Sequence, residues 1–186
     1  HSNGKTYNQF MFVDDIKHGN ADFYSPDSSF MYRLVYYDDI LKAYTYKNAA
    51  GELLPEKPVT TETSEILCYY PNGKISARIP MKNGLYNGKN TTYYPDGSVF
   101  IEKMFVNGDF EGSYKSYYEN GKPKEVINYR NDERNGAYEA YFENGQKRKR
   151  GQFLAGYAQG EWLIYNETGK LVNTLYYDND EIYDIK

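Results

Sequence analysis

Five tyrosines, Tyr69, Tyr93, Tyr117, Tyr141 and Tyr165, recur at a strict interval of 24 residues, and a glycine follows each by four: Gly73, Gly97, Gly121, Gly145 and Gly169. Gly88, Gly112, Gly136 and Gly160 keep the same period, as do Asn83, Asn107, Asn131 and Asn179, with Ala155 in the remaining place. Several columns in one register define a tandem array, in which each unit is one supersecondary element and neighbours bury what a single unit cannot.

The unit reads strand, turn, strand, turn. Tyr93-Tyr94-Pro95-Asp96-Gly97 closes one end and Asn107-Gly108-Asp109-Phe110-Glu111-Gly112 the other. Asn-Gly and Asp-Gly supply the positive φ of tight hairpin turns, and Pro presets φ at the turn entry. Between turns lie runs rich in Tyr, Phe, Val, Ile and Thr, the residues that pleated strands favour. The composition agrees: 186 residues include 23 Tyr, 9 Phe and 16 Gly, and the mean hydropathy is −0.85. Little surface can be deeply buried, so a thin structure is expected rather than a thick globule.

The N-terminal third belongs to the same array. Met11-Phe12-Val13-Asp14-Asp15 and Gly19 match Met104-Phe105-Val106-Asn107-Gly108 and Gly112 at one offset, and Asn3-Gly4-Lys5 matches Asn120-Gly121-Lys122. Tyr24 and Tyr46 continue the tyrosine column, with turns near Gly4, Ser28 and Gly51. The whole chain is read as a single array, 1–186: divergent repeats over 1–52, an irregular repeat or hinge at 53–68, regular repeats over 69–180 and a tail at 181–186. The irregular stretch carries Pro55 and Pro58 in place of an Asn-Gly turn.

The expected fold is therefore all-β, an elongated and twisted single antiparallel sheet of tandem hairpins. About sixteen strands at ~4.8 Å give a ribbon on the order of 75 Å. On the strand after each Pro/Asn-Gly turn, odd positions such as Ile79, Ile101, Ile127, Phe153 and Leu175 are apolar, whereas even positions such as Arg78, Glu102, Lys124 and Arg148 are polar. A second aromatic column, Tyr114, Tyr138 and Trp162, is assigned to the alternate, more polar face, which makes these three the candidate interaction residues. A single sheet has no second layer, so its apolar face must be covered by its own aromatics or by a partner.

The pattern Tyr-Tyr-Pro-Asn-Gly-Lys (69–74), Tyr-Tyr-Pro-Asp-Gly (93–97), Tyr-Tyr-Glu-Asn-Gly-Lys (117–122) and Tyr-Phe-Glu-Asn-Gly-Gln (141–146) resembles the bacterial MORN-repeat variant family, whose members include YwqK-like proteins labelled as antitoxins. The resemblance implies a MORN-like β-meander of stacked hairpins, and roles as scaffolds, protein-binding modules or toxin-neutralising partners. Phospholipid binding has also been linked to such arrays, but no basic stripe is present here.

Catalytic chemistry has few candidates. The histidines are His1, at the terminus, and His18, in a turn-like segment. Asp14-Asp15 and Asp38-Asp39 occupy the column where other units carry Asn-Gly, which makes them turn residues. Asp178-Asn179-Asp180-Glu181 lacks the glycine and distal glutamate of a calcium loop. Cys68 stands alone, which excludes an intramolecular disulfide and a multi-cysteine metal site. The net charge is −4 with signs interspersed, and the basic run Lys147-Arg148-Lys149-Arg150 alternates between strand faces, so no nucleic-acid footprint emerges. No apolar stretch reaches membrane-spanning length. Neither a cofactor nor a metal is expected, and no enzymatic activity.

The chain begins at His1 rather than Met, which favours export to the periplasm or cell surface over the cytoplasm. The function expected is a non-catalytic repeat protein serving as a protein-protein interaction module or scaffold, with toxin neutralisation as one form. The alternative is a carbohydrate-binding or cell-envelope module using an aromatic ladder. The expected partner is a protein, and exposed edge strands permit a homodimer.

Overall fold

The computed structural model describes residues 5–186, so the expectations placed on His1 and Gly4 lie outside the described residues. These residues form seventeen strands and no helix, joined as antiparallel hairpins. The chain divides into two compact units, one ending at Ser98 and the other spanning Val99–Lys186.

The first unit holds β1 (Asn8–Val13), β2 (Ile16–Tyr24), β3 (Phe30–Tyr37), β4 (Ile40–Thr45), β5 (Lys57–Pro58), β6 (Glu65–Tyr69), β7 (Ile75–Lys82), β8 (Leu85–Tyr86) and β9 (Gly88–Tyr93). The second holds β10 (Val99–Val106), β11 (Asp109–Tyr117), β12 (Pro123–Arg130), β13 (Glu133–Tyr141), β14 (Lys147–Leu154), β15 (Tyr157–Tyr165), β16 (Leu171–Asp178) and β17 (Glu181–Ile185).

The all-β array of tandem antiparallel hairpins is what the structure shows, but its strands are not in one sheet. The first sheet runs β1 to β5 in chain order, and a second begins at β6. The break falls in the irregular segment: Lys57 and Pro58 still pair with Tyr44 and Ala43, and Glu65 already pairs with Pro80. Pro55 and Pro58 explain the break, since neither can donate to a ladder.

Within the first unit the two sheets face each other. Met31 and Leu34 of β3 share a core with Ile66 and Cys68 of β6 and Ala77 and Ile79 of β7. The Ser76 hydroxyl donates to the Met31 carbonyl across the layers at 3.0 Å, and the Tyr36 and Tyr86 hydroxyls meet at 2.7 Å. Here the apolar face is covered by a second layer of the same unit. Burial pushes the Cys68 thiol far up, so it is a packing residue.

Two turn chemistries alternate. At one end the turn is two residues, both with positive φ: Asp38 and Asp39, Asn107 and Gly108, Asn131 and Asp132, and Asn179 and Asp180. This is the mirror-image turn whose twist matches that of the strands. The Asp14-Asp15 and Asp38-Asp39 pairs are thus turn residues, and the second aspartate of such a turn can have a further task. Asp39 accepts from the Lys17 backbone N–H, and Asp132 from that of Phe110, in each case binding the preceding repeat. At the other end only the glycine takes positive φ, from 78° to 92° at Gly73, Gly97, Gly121, Gly145 and Gly169. The side-chain oxygen of Asn72, Asn120 or Asn144 accepts from the residue after that glycine, while its amide donates one repeat onward to the carbonyl of Pro95, Glu143 or Glu167.

The column Gly88, Gly112, Gly136 and Gly160 is expected to close a turn, but Gly112, Gly136 and Gly160 lie inside strands, at bulges, and Gly88 begins β9. The β12–β13 register shifts between Ile127 and Tyr129, opposite Gly136 with φ of 100°. A bulge increases local twist and needs a residue free to take positive φ.

No described helix is long and apolar enough to cross a membrane, which leaves strands out of account.

Candidate interaction surface

The ladder of the second unit decides which residues share a face. Tyr114 stands opposite Ile127, Ile127 opposite Tyr138, Tyr138 opposite Gly151, and Trp162 opposite Leu175. Cross-strand partners project to the same side. The aromatic column Tyr114, Tyr138 and Trp162 therefore lies on the apolar face, and its assignment to the alternate face is corrected. Each hairpin pairs an odd position with an even one, so counting parity through the turns reversed this column. The tyrosine column at 117 and 141 lies on the other side, where Tyr117 donates to Glu102 at 3.0 Å and Tyr141 to Glu139.

Burial follows. All three are candidates for exposure in the sequence, yet Trp162 is 1% exposed, and Tyr114 and Tyr138 are half-buried. Trp162 is the hub: Tyr138 and Phe153 lie at 5.1 Å from its ring and Tyr177 at 5.6 Å. Its seat is Gly151, where an added Cβ would stand 2.2 Å from an indole carbon. Other repeats place Ile79, Lys103, Ile127 and Leu175 in the column of Gly151, and Asn90, Tyr114 and Tyr138 in that of Trp162. A larger ring is matched by a smaller neighbour across the strand, the complementarity that close packing requires.

Further along the sheet Phe110 stacks on Phe105 at 5.2 Å and on Tyr129 at 4.0 Å. All eight strands of this unit lie side by side as one layer, so it supplies no second layer over these rings. The aromatics cover one another edge to face and ring on ring, as the sequence had left open.

Three cations lie on this surface; Lys103, opposite Tyr114 and 6.0 Å from its ring, is outside the groove that the other two line. The Lys149 ammonium lies 4.4 Å from the Trp162 ring centre and 5.6 Å from that of Tyr177. The Arg134 guanidinium lies 4.1 Å from the Phe153 ring and donates to the Gly156 carbonyl at 2.8 Å. Burial, then the neighbouring Arg148, lowers the Lys149 pKa. Between these groups and Tyr138 is a groove of about 350 Å³ whose rim also carries Glu125 and Asp180. Glu125 accepts from the Tyr138 hydroxyl at 2.8 Å, and Asp180 accepts from the Ala158 N–H. Burial, and secondarily Glu125, raises the Tyr138 pKa, and the same two causes in the same order push Tyr114 up to about 12. Tyr114 and Tyr138 are thereby held as neutral hydrogen-bonding groups at physiological pH.

Lys149 and Arg134 were absent from the sequence-based candidates, although a signal existed for Lys149. Within the basic run it occupies an odd position, and so belongs with the apolar residues of its strand, whereas Arg148 and Arg150 point the other way. Lys147 is drawn to that other side by Glu139, which it meets at 2.6 Å. His18, the one described histidine, lies 3.3 Å from Asp38 with its ring 4.5 Å from Tyr37. Among the described residues no three His, Cys, Asp or Glu side chains gather where they could hold a metal.

The family model described as MORN repeat variant matches residues 64–83, 86–107, 110–131, 134–155 and 158–179. The last three matches each begin just past a two-residue turn and end on the next, enclosing one bulged strand, one Asn-Gly or Thr-Gly turn and one straight strand. No curated protein matches the chain.

Proposed function

Because the chain belongs to the MORN repeat variant family, matched over more than half its length, we propose that it is a non-catalytic protein-binding module and that the aromatic face of Val99–Lys186 is its binding surface. Repeats of this family are associated with protein- and membrane-binding modules. One observation carries the choice of surface: a one-layer sheet turns Tyr114, Tyr129, Tyr138, Phe153, Trp162 and Tyr177 to one side with no second layer from its own unit. Such faces, rimmed by polar groups, mark interaction sites in proteins. The non-catalytic reading is supported by the carboxylates: Asp39, Asp132 and Asp180 hold backbone N–H groups of neighbouring repeats, a structural use.

Affinity capture with the immobilised full chain, followed by calorimetry on the retained protein, tests the reading. Saturable binding with a negative heat-capacity change is expected, since apolar surface is buried. Retention of no protein beyond that seen with an unrelated β-repeat control would refute it. Toxin neutralisation is a narrower form of the same proposal. It requires that co-expression with the captured protein relieve growth arrest. The alternative, a carbohydrate-binding or cell-envelope module using the aromatic ladder, has less support, because Trp162 in that ladder is 1% exposed.

A further inference from the structure

The charges of the aromatic groove are unequally satisfied. Both carboxylates on its rim are engaged within the chain, Glu125 by the Tyr138 hydroxyl and Asp180 by the Ala158 N–H. The cations are not matched in the same way. Lys149 makes neither an ion pair nor a hydrogen bond and rests only on Trp162 and Tyr177, and Arg134 gives one hydrogen bond to a carbonyl and meets no carboxylate. The groove thus combines an apolar wall with surplus positively charged donors on two residues that line it together.

We propose that this groove receives an acidic peptide segment of a partner protein, a carboxylate of which pairs with Lys149 and Arg134 while an adjacent apolar side chain lies against the half-buried Tyr177. The proposal rests on the protein-binding reading above and names the chemistry of its occupant.

Three physical points favour this occupant. The Lys149 ammonium has already given up hydration to sit on aromatic rings, so a carboxylate arriving there costs it little further desolvation and gains a charge-assisted bond. The planar Arg134 guanidinium keeps unused N–H donors in the fork geometry that carboxylates accept. A cationic segment would have to displace Lys149 from Trp162; the rim acids Glu125 and Asp180 keep their charge, but each already accepts a hydrogen bond, whereas donors of Lys149 and Arg134 remain unused. A volume of about 350 Å³ suits a carboxylate side chain with one apolar neighbour rather than a folded surface. An anionic membrane would look for cations raised on a polar stripe; here they lie among rings, and Arg148 and Arg150 point to the opposite face.

Trp162 is the sole tryptophan, so its emission reports directly on Lys149. The full chain is titrated with blocked acetyl-Glu-Phe-Glu-Leu-Glu-amide, with its lysine and glutamine counterparts, and with anionic phosphatidylserine vesicles. A saturable emission change with the acidic peptide alone is expected, weakening roughly tenfold in Lys149→Gln as one charge-assisted contact is lost. Calorimetry repeats the comparison because the substitution itself alters the baseline emission, and thermal unfolding establishes that the variant is folded. Arg150→Gln, on the opposite face, leaves the affinity unchanged. An equal response to the basic or neutral peptide, a response to vesicles only, no response at all, or an acidic-peptide affinity untouched by Lys149→Gln would each overturn the assignment. A captured protein whose binding ignores Lys149→Gln overturns this inference while leaving the protein-binding reading intact; failure to capture any protein strikes that reading instead.

Discussion

Trp162 packs directly over Gly151, and only the absence of a Cβ at 151 makes this possible. A methyl group there would overlap the indole at 2.2 to 2.6 Å, and the indole is too enclosed by Tyr138, Phe153 and Tyr177 to yield freely. Gly151→Ala is expected to destabilise the protein by about 2 kcal/mol, the usual scale of overpacking. Urea unfolding followed by Trp162 emission measures this, and an unchanged midpoint would contradict the packing described. The tyrosines give a pH dependence with a definite sign. Tyr114 and Tyr141 are pushed up to about 12, in each case mainly by burial, and Tyr32, Tyr36 and Tyr86 are raised as well. A raised folded-state pKa contributes stability that is whole below the unfolded value of about 10 and is lost as pH climbs through the folded value. Lys103 and Lys149, each with its pKa lowered mainly by burial, act in the opposite direction, but they are two groups against several. Stability should therefore fall between about pH 10 and 12, with tyrosinate absorbance and circular dichroism changing together. Tyrosine ionisation completed before any loss of sheet signal would contradict the burial of these rings.

Each hairpin succeeds or fails on its two-residue turn. Ala155 holds φ of 48° where other repeats place Asn or Asp, a conformation that an alanine side chain tolerates poorly. Ala155→Asn is expected to stabilise the protein by about 1 kcal/mol, measured by thermal unfolding. Asp132→Ala removes the acceptor for the Phe110 N–H as well as a residue suited to positive φ, and should cost about 1 to 2 kcal/mol. Amide exchange at Phe110 should quicken selectively, and uniform exchange across β11 would count against the repeat-to-repeat bond. At this scale much was legible in the sequence. Asn-Gly and Asp-Asp pairs marked the turns, because positive φ restricts composition severely. The Gly88, Gly112, Gly136 and Gly160 column announced positive φ too, but composition does not distinguish a turn from a bulge. That ambiguity also hid the face of Tyr114, Tyr138 and Trp162, since strand parity survives only as long as every turn and bulge is counted correctly.

The two units solve one problem in two ways. Before Ser98 the irregular, proline-bearing segment lets the chain begin a second sheet, and Met31, Leu34, Ile66 and Cys68 disappear between layers. From Val99 onward a single layer covers its apolar side with its own rings and with Lys103, Lys149 and Arg134. The periodicity predicted hairpins throughout but was silent on how many sheets they would form, because layering depends on where one connection loses its ladder bonds rather than on the repeat. It was silent, too, on the two cations of the groove, since pairing across strands, not spacing along one, brings Arg134 and Lys149 to the same surface. If binding is the work of the aromatic face, charge reversal there and on the opposite face must have different consequences. Binding of the captured partner to Lys149→Glu and to Arg150→Glu, both confirmed as folded, tests this most directly. Loss of affinity in Lys149→Glu alone is the expected result; loss in Arg150→Glu alone, or equal loss in both, would contradict a binding role for the aromatic face.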